Sequence, residues 1–517
     1  MRLYGKKQAR RSIFDTVLFR AGSQVFTALG YIVMVRGMSE RDFGVFNLLY
    51  AIIPVISTGA SLGLEQTLRR YQPEYLQSGN TAAAARLVRF VAGARFVSGL
   101  VVIGAILLAW NKFAHWFHLD PYRDEFAIFA ILILLHFQGR VLQIALASHM
   151  LHRYSVGSMS VLSLGKLLAY SGFAWFGALN LQTAVYSDVA AYAACYIVLR
   201  TVQRRHCHDP TADAYRFPPA ERRRLTKYAI IFNFNDAGSL ALNVRAENFF
   251  LAAMMGPLAV GAYAFYARLS QMANNILPIR LFENVVNPLF FSIRREQAHE
   301  RLPRYFTALL NTSFMVQVPM LAYTVAFHHE IVAVLFGGKF TEYSRLLPLI
   351  MAFATANVIA MPVTLVAQYS ERASVVLMSK IFAVYNVVAL LVLVPKAGVF
   401  GAAIAVGSAD LLKNLFIWWH VRGLARWSNV WGALGAGVLC WGVYVALVQT
   451  LSATVDVPDI VKLICGALLA APFTLIYVRS SALSGDDRAL FGSVLHGREA
   501  RLLRWLGLTR AAPAGKR

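Results

Sequence analysis

Predominantly apolar runs of about twenty residues recur fourteen times along this chain, and that recurrence leaves few folds open. They fall at 13–35, 44–64, 87–109, 125–147, 154–176, 182–202, 228–251, 258–282, 306–327, 345–368, 373–395, 399–419, 429–450 and 458–478. Each is long enough to cross the roughly 30 Å hydrocarbon core of a bilayer. Inside lipid every backbone amide needs an internal partner, so only helices and closed barrels can span. Barrel strands would be about ten residues long with alternating polarity, and these runs do not alternate. Composition agrees: 58% of residues are apolar and 15% charged, against about 25% charged in a soluble domain. The reading is an all-α polytopic membrane protein with about fourteen transmembrane helices.

A net charge of +24 invites a nucleic-acid partner, but the placement of the charge argues against one. With the N-terminus inside, the connections assigned to the inner side hold 33 of the 50 lysines and arginines, and the outer connections hold six. This is the positive-inside bias, and it predicts that both termini are cytoplasmic. The excess also favours contact with anionic lipid headgroups. Basic residues 1–12 precede an apolar run too long for a cleavable signal, so the first helix is expected to remain as an anchor. Cys195, Cys207, Cys440 and Cys465 show neither metal nor redox spacing and are expected to be free thiols. No nucleotide-binding loop, zinc-protease helix or nucleophile elbow occurs, so no cofactor, no metal and no enzyme activity is expected.

The chain divides at 203–227, a linker with paired prolines and three consecutive arginines. Its halves resemble each other. Residues 38–50 (MSERDFGVFNLLY) parallel 255–267 (MGPLAVGAYAFYA), placing Gly44 opposite Gly261 and Phe46 opposite Tyr263. Residues 152–160 parallel 371–379, and 179–192 parallel 397–410, so the three offsets are 217, 219 and 218. A near-constant offset argues for a duplicated six-helix unit. Six is even, so the copies should be parallel repeats. The expected layout is an N-lobe at 1–202, the linker, a C-lobe at 228–421, two further helices at 422–479 and a basic cytoplasmic tail at 480–517.

Polar residues inside the runs are ordered. In residues 228–255, Asn233, Asp236, Asn243 and Glu247 fall within an arc of roughly 80° on a helix, with Arg245 off it. In the first run Arg20, Ser23, Gln24, Thr27 and Tyr31 lie within roughly 100°. Ser57, Ser61 and Glu65 recur every fourth residue, and Tyr263, Tyr266, Ser270 and Asn274 share a face. Four striped helices at equivalent places suggest two lobes around one central cavity. Asp15, Arg86, Arg89 and Arg372 sit near the inner boundary, where they can snorkel, and Asp410 and Lys413 can neutralise each other. Arg140, Lys166, Arg268 and Lys380 lie deeper, where an ionisable group signals function. Gly59 and Gly63 read as helix-packing residues.

Residues 35–71 resemble the opening of polysaccharide transporters of the multidrug/oligosaccharidyl-lipid/polysaccharide exporter superfamily. The match rests on Arg36, Ser39, Asp42, Phe43, Gly44, Phe46, Gly63, Leu64, Arg70 and Tyr71, with Glu40-Arg41 where the family usually has Pro-Glu. Residues 246–272 are similar to the family's seventh-to-eighth helix segment through Gly256, Pro257, Gly261, Tyr263, Tyr266 and Arg268, with Glu247 where aspartate is common. The resemblance covers the first twelve runs. It implies a bacterial inner-membrane flippase that moves a polyprenyl-diphosphate-linked oligosaccharide outward by alternating access, supplying O-antigen, capsule or exopolysaccharide assembly.

On that reading the substrate-binding candidates are Arg20, Gln24, Glu65, Arg140, Lys166, Asn233, Asn243, Arg268 and Lys380. Arg20, Lys166 and Arg268 are the foremost candidates for the diphosphate, since cations must meet it and guanidinium suits phosphate geometry. Asp236 and Glu247 are the candidates for coupling to H⁺ or Na⁺. Expected partners are the lipid-linked oligosaccharide, membrane lipids, a coupling ion and the polymerase or export machinery, with no nucleic acid. A cation-coupled multidrug antiporter of the same superfamily is the alternative, but it would want an anionic cavity, and the charges within the runs lean basic. A glycan polymerase or ligase would want a large outer loop, and the chain has none.

Overall fold

In the computed structural model the described residues are 6–207, 209–243, 246–275, 277, 298–425, 430–455 and 457–480. They form two compact units, Met1–Gly261 and Ala262–Arg517. Among the described residues the regular structure is all helical. The first unit holds α1 (Lys6–Gly37), α2 (Glu40–Gly59), α3 (Leu64–Gln77), α4 (Thr81–Leu108), α5 (Trp110–Phe117), α6 (Arg123–Ser148), α7 (His152–Trp175), α8 (Leu181–His206), α9 (Pro219–Asn243) and α10 (Ala246–Met255). Helix α11 (Pro257–Asn274) begins in it. The second unit continues with α12 (Ala298–Phe336), α13 (Leu346–Ala356), α14 (Ala360–Tyr369), α15 (Ala373–Met378), α16 (Phe382–Val421), α17 (Val430–Thr454) and α18 (Asp459–Ser480).

Eight of these stretches are long and apolar enough to cross a membrane. The runs at 13–35, 154–176 and 182–202 form α1, α7 and α8 without meeting that measure. Those at 373–395 and 399–419 lie largely in α16, which bends at Gly398 (φ 56°). Large apolar side chains are widely exposed, Leu108 at 92%, Trp175 at 87% and Leu439 at 73% among them. A water-facing surface tolerates few such patches, whereas lipid requires them.

Local chemistry sets the helix ends. Ser39 caps α2 by accepting a hydrogen bond from the Asp42 amide, with Glu40 and Asp42 in the positive first turn. Asn180 and Thr183 form a reciprocal capping box that starts α8. Between α2 and α3 the helix breaks: Leu62 (φ 50°) and Gly63 (φ 66°) are both left-handed. Gly63 is thus more than a packing residue. A Cβ there would lie 1.9 Å from the Ala229 carbonyl oxygen on α9. Gly44 and Gly261, the pair matched by the internal repeat, also sit against each other. A Cβ on Gly44 would lie 1.9 Å from the Pro257 carbonyl oxygen, and one on Gly261 would lie 3.0 Å from the Gly44 Cα.

Within the first unit α1 runs along α7, α6 packs between α8 and the α3–α4 pair, and α7 meets α8. Leu68, Tyr71, Val91, Val141 and Ala145 build a core where α3, α4 and α6 converge. Residues 209–218 are fastened against it. Thr81 donates to Asp209 at 2.6 Å, Arg89 donates to the Asp209 carbonyl at 2.8 Å and pairs with Asp213, and Arg224 pairs with Glu74 at 3.0 Å. Arg86 approaches Asp213 at 3.8 Å, so the two boundary arginines have protein partners.

In the second unit Phe306, Leu310, Phe327, Val363, Trp441, Tyr444 and Tyr477 share one core. The Tyr444 hydroxyl donates to the Gly466 carbonyl and the Tyr323 hydroxyl to that of Leu463, both at 2.9 Å. The last two helices are therefore part of this core. Lys413 pairs with Asp410 at 2.5 Å, as their spacing predicts. Among the described residues all four cysteines are free.

Candidate functional site

The helix break creates the first polar cluster. A broken helix leaves carbonyls that lipid cannot satisfy, and α4 supplies their partners. Arg95 donates to the Ser57 carbonyl at 2.9 Å, and Ser98 donates to the Ala60 carbonyl at 2.8 Å. Arg95 also donates to the Ser57 hydroxyl at 3.2 Å and to Glu65 Oε1 at 2.9 Å, with its guanidinium 4.2 Å from the Phe137 ring centre. Its side chain is fully buried. Glu65 Oε2 lies 3.6 Å from Arg140 Nη2, and the Arg140 side chain is 42% exposed. Arg69, one turn beyond Glu65 on α3, is exposed and within electrostatic range of both Glu65 and Arg140.

A second cluster joins α2, α7 and α8. Lys166 Nζ donates to Asp188 Oδ2 at 2.8 Å and to the Tyr50 hydroxyl at 2.6 Å. Asp188 is fully buried and also accepts from Tyr50 and Tyr170. The Lys166 ammonium sits 5.0 Å from the Tyr50 ring centre and 4.9 Å from that of Tyr192. Within this cluster both charges are satisfied inside the protein. His136 on α6, whose ring centre is 5.8 Å from that of Tyr192 and 6.4 Å from that of Phe137, lies between the clusters. Arg140 is one turn further along the same helix.

The structure thus brings together Glu65 and Arg140 and places Lys166 in a separate pair. Gln24 is exposed on α1, and Asn233 is half-buried on α9 with its Oδ1 buried and lacking a hydrogen-bond partner among the described residues. Glu247 is buried at the start of α10. Arg268 is half-buried on α11 and donates to Gln271 at 2.9 Å, and Lys380 is half-buried in the short turn Ser379–Ile381. The side chains of Arg20, Asp236 and Asn243, and the whole of Arg245, lie outside the described residues.

Several stripe positions face neighbouring helices. Ser23 on α1 donates to the Met159 carbonyl of α7 at 3.4 Å, and Ser160 of α7 returns a bond to the Phe19 carbonyl at 2.8 Å. Tyr266 is buried and donates to the Phe340 carbonyl at 2.7 Å. Ser57 and Glu65 face Arg95. Helical spacing identified a shared face but not what that face meets. Arg95 and Asp188 were missed because neither belongs to a polar stripe along its own run. The available signal was charge complementarity: each has an opposite charge, Glu65 or Lys166, in a nearby run.

The fold is similar to that of lipid II flippase MurJ in an inward closed conformation, with a TM-score of 0.67 at 11% identity over 90% of this chain and 99% of that one. It is also similar to an inward-facing multidrug resistance MATE family transporter of the MOP superfamily, with a TM-score of 0.64 at 15% identity over 78% and 95%. A MATE structure in complex with MaD3S gives 0.53 at 16% over 82% and 97%. The class is therefore a multi-pass membrane protein with the MurJ/MATE fold. Residues 10–294 match the model of the polysaccharide biosynthesis protein family, and the chain belongs to that family. A search of curated proteins found no match.

Proposed function

We propose that this protein is a flippase that carries a polyprenyl-diphosphate-linked oligosaccharide from the inner to the outer leaflet of a bacterial cytoplasmic membrane. The observation that carries the reading is the excess of guanidinium over carboxylate among the helices of the first unit, where Arg95 and Arg140 both meet Glu65 and Arg69 follows it one turn along α3. An anionic headgroup crossing a bilayer needs such cations, whereas a cationic drug would be repelled by them. Family membership and the MurJ-like fold support the same reading.

In this proposal fourteen spans form two parallel six-helix lobes with two further helices, and both termini are cytoplasmic. The lipid tail remains in the bilayer while the glycan passes through a polar cavity between the lobes. Rocking of the lobes is coupled to H⁺ or Na⁺ at Asp236 or Glu247, and the product passes to polymerase and export machinery. In the diphosphate role Arg140 takes precedence over Lys166, because Asp188 and Tyr50 already engage the lysine.

Proteoliposomes loaded with a fluorescent polyprenyl-diphosphate oligosaccharide test the function. Protein-dependent exposure of the label to an external quencher is expected, and its absence alongside efflux of a cationic dye would replace the reading with the antiporter. In cells, deletion should abolish surface polysaccharide and leave lipid-linked repeat units inside.

A further inference from the structure

We infer that Arg140 and Arg69 form a diphosphate-binding site for which the Glu65 carboxylate serves as the resident placeholder. The inference rests on the flippase reading and names the subsite where the headgroup first docks. Glu65 divides its two oxygens unequally. Oε1 is held at 2.9 Å by Arg95, which is itself fixed by Ser57 and Phe137, while Oε2 meets Arg140 at 3.6 Å. The first contact is a buried, directional ion pair. The second is long, and its arginine is partly exposed.

Charge points the same way. Arg95 and Arg140 share the Glu65 carboxylate, and Arg69 follows it one turn along α3, so these four side chains carry two more positive charges than negative. A diphosphate esterified at both ends carries two negative charges, and guanidinium groups bind such oxygens in bidentate fashion. A phosphodiester lipid headgroup carries one and would leave half the excess. Arg140 lies eight residues before the end of α6 at Ser148, about 12 Å along the helix axis. On the proposed topology that is the cytoplasmic half of the membrane, within reach of a lipid-linked headgroup arriving from the inner leaflet. Glu65 keeps Arg140 extended and partly neutralised until the phosphate takes it over. Arg95 does not move, because the broken helix depends on it.

The test uses the full chain in nanodiscs and measures binding of a polyprenyl diphosphate, a polyprenyl monophosphate and phosphatidylglycerol. Wild type should prefer the diphosphate. Arg140→Gln should weaken that binding roughly tenfold, as expected for losing one charge-assisted contact, and Arg140→Lys should restore part of it. Glu65→Gln should tighten binding several-fold by removing the competing carboxylate, an outcome that a purely structural ion pair does not give. If Glu65→Gln fails to fold, the Arg140→Gln and Arg140→Lys pair decides. Equal affinity of wild type and Arg140→Gln for the diphosphate would overturn the site, as would equal preference for phosphatidylglycerol. Normal oligosaccharide flipping with unchanged diphosphate binding in Arg140→Gln would sink the site and leave the flippase reading standing. Diphosphate-selective binding without any flipping by wild type would do the reverse.

Discussion

Substitution of Asp188 and Lys166, singly and together, separates a structural ion pair from a substrate contact. Asp188 is fully buried, and Lys166, Tyr50 and Tyr170 all donate to it. Asp188→Ala leaves the Lys166 ammonium, whose side chain is 19% exposed, without its countercharge, and it strips two tyrosine hydroxyls of their acceptor. Breaking a buried pair from one side costs about 3–5 kcal/mol, whereas replacing both partners with apolar residues of similar volume is often neutral. The double variant Lys166→Met/Asp188→Leu should therefore recover most of that loss, giving a coupling energy of about 3 kcal/mol. Reversible unfolding in mixed micelles, followed by tryptophan fluorescence, measures the stability side. Oligosaccharide flipping in proteoliposomes measures the functional side. Losses in the two single variants that simply add in the double would refute the coupled pair. A double variant that folds with wild-type stability yet binds diphosphate at least tenfold more weakly would return Lys166 to the substrate site.

Gly63→Ala should destabilise by roughly 2 kcal/mol or more, since a left-handed backbone and a Cβ 1.9 Å from the Ala229 oxygen act together. Gly59→Ala, facing open space in the same helix pair, should be neutral or slightly stabilising by the same unfolding measurement. In the linker, hydrogen bonds from Thr211 and Thr81 hold the Asp209 carboxyl below the usual carboxylate range. A depressed folded value means that its contribution is complete above the unfolded value of about 3.9 and lost as pH falls through the folded one. Pepsin cleavage within 207–218 should accordingly rise below about pH 4 in wild type, and Asp209→Asn should flatten that rise. Burial pushes the Cys207 thiol up to about 12, so its alkylation at pH 8 should lag an unburied thiol by at least about tenfold and recover on denaturation.

What could be read beforehand was what depends on one stretch of chain at a time. Apolar length gave helices, and the spacing of Asp410 and Lys413 gave an ion pair that is present at 2.5 Å. Motifs at 35–71 and 246–272 led to a family that the match over residues 10–294 shows. The site was less legible because its energetics lie between helices. Periodicity put Ser57 and Glu65 on one face, but Arg95 thirty residues away from Glu65 determines what that face meets. The glycines on either side of the α2–α3 break posed a similar difficulty. Gly59 adjoins open space while Gly63 turns the backbone left-handed, a distinction set by partners on other helices.

The α2–α3 break has a consequence for biosynthesis. Until α4 has emerged and packed, the carbonyls of Ser57 and Ala60 lack the groups that cap them. Each bare carbonyl in hydrocarbon costs several kcal/mol. The elbow therefore cannot settle in lipid as an isolated hairpin. It has to wait at the translocon or the interface until Arg95 and Ser98 arrive, about 35 residues after the break. Arg95 gains from the same delay, since its charge enters the membrane already paired with Glu65. The insertion unit at this end of the chain is thus α2, α3 and α4 together, a broken helix and the clasp that closes it.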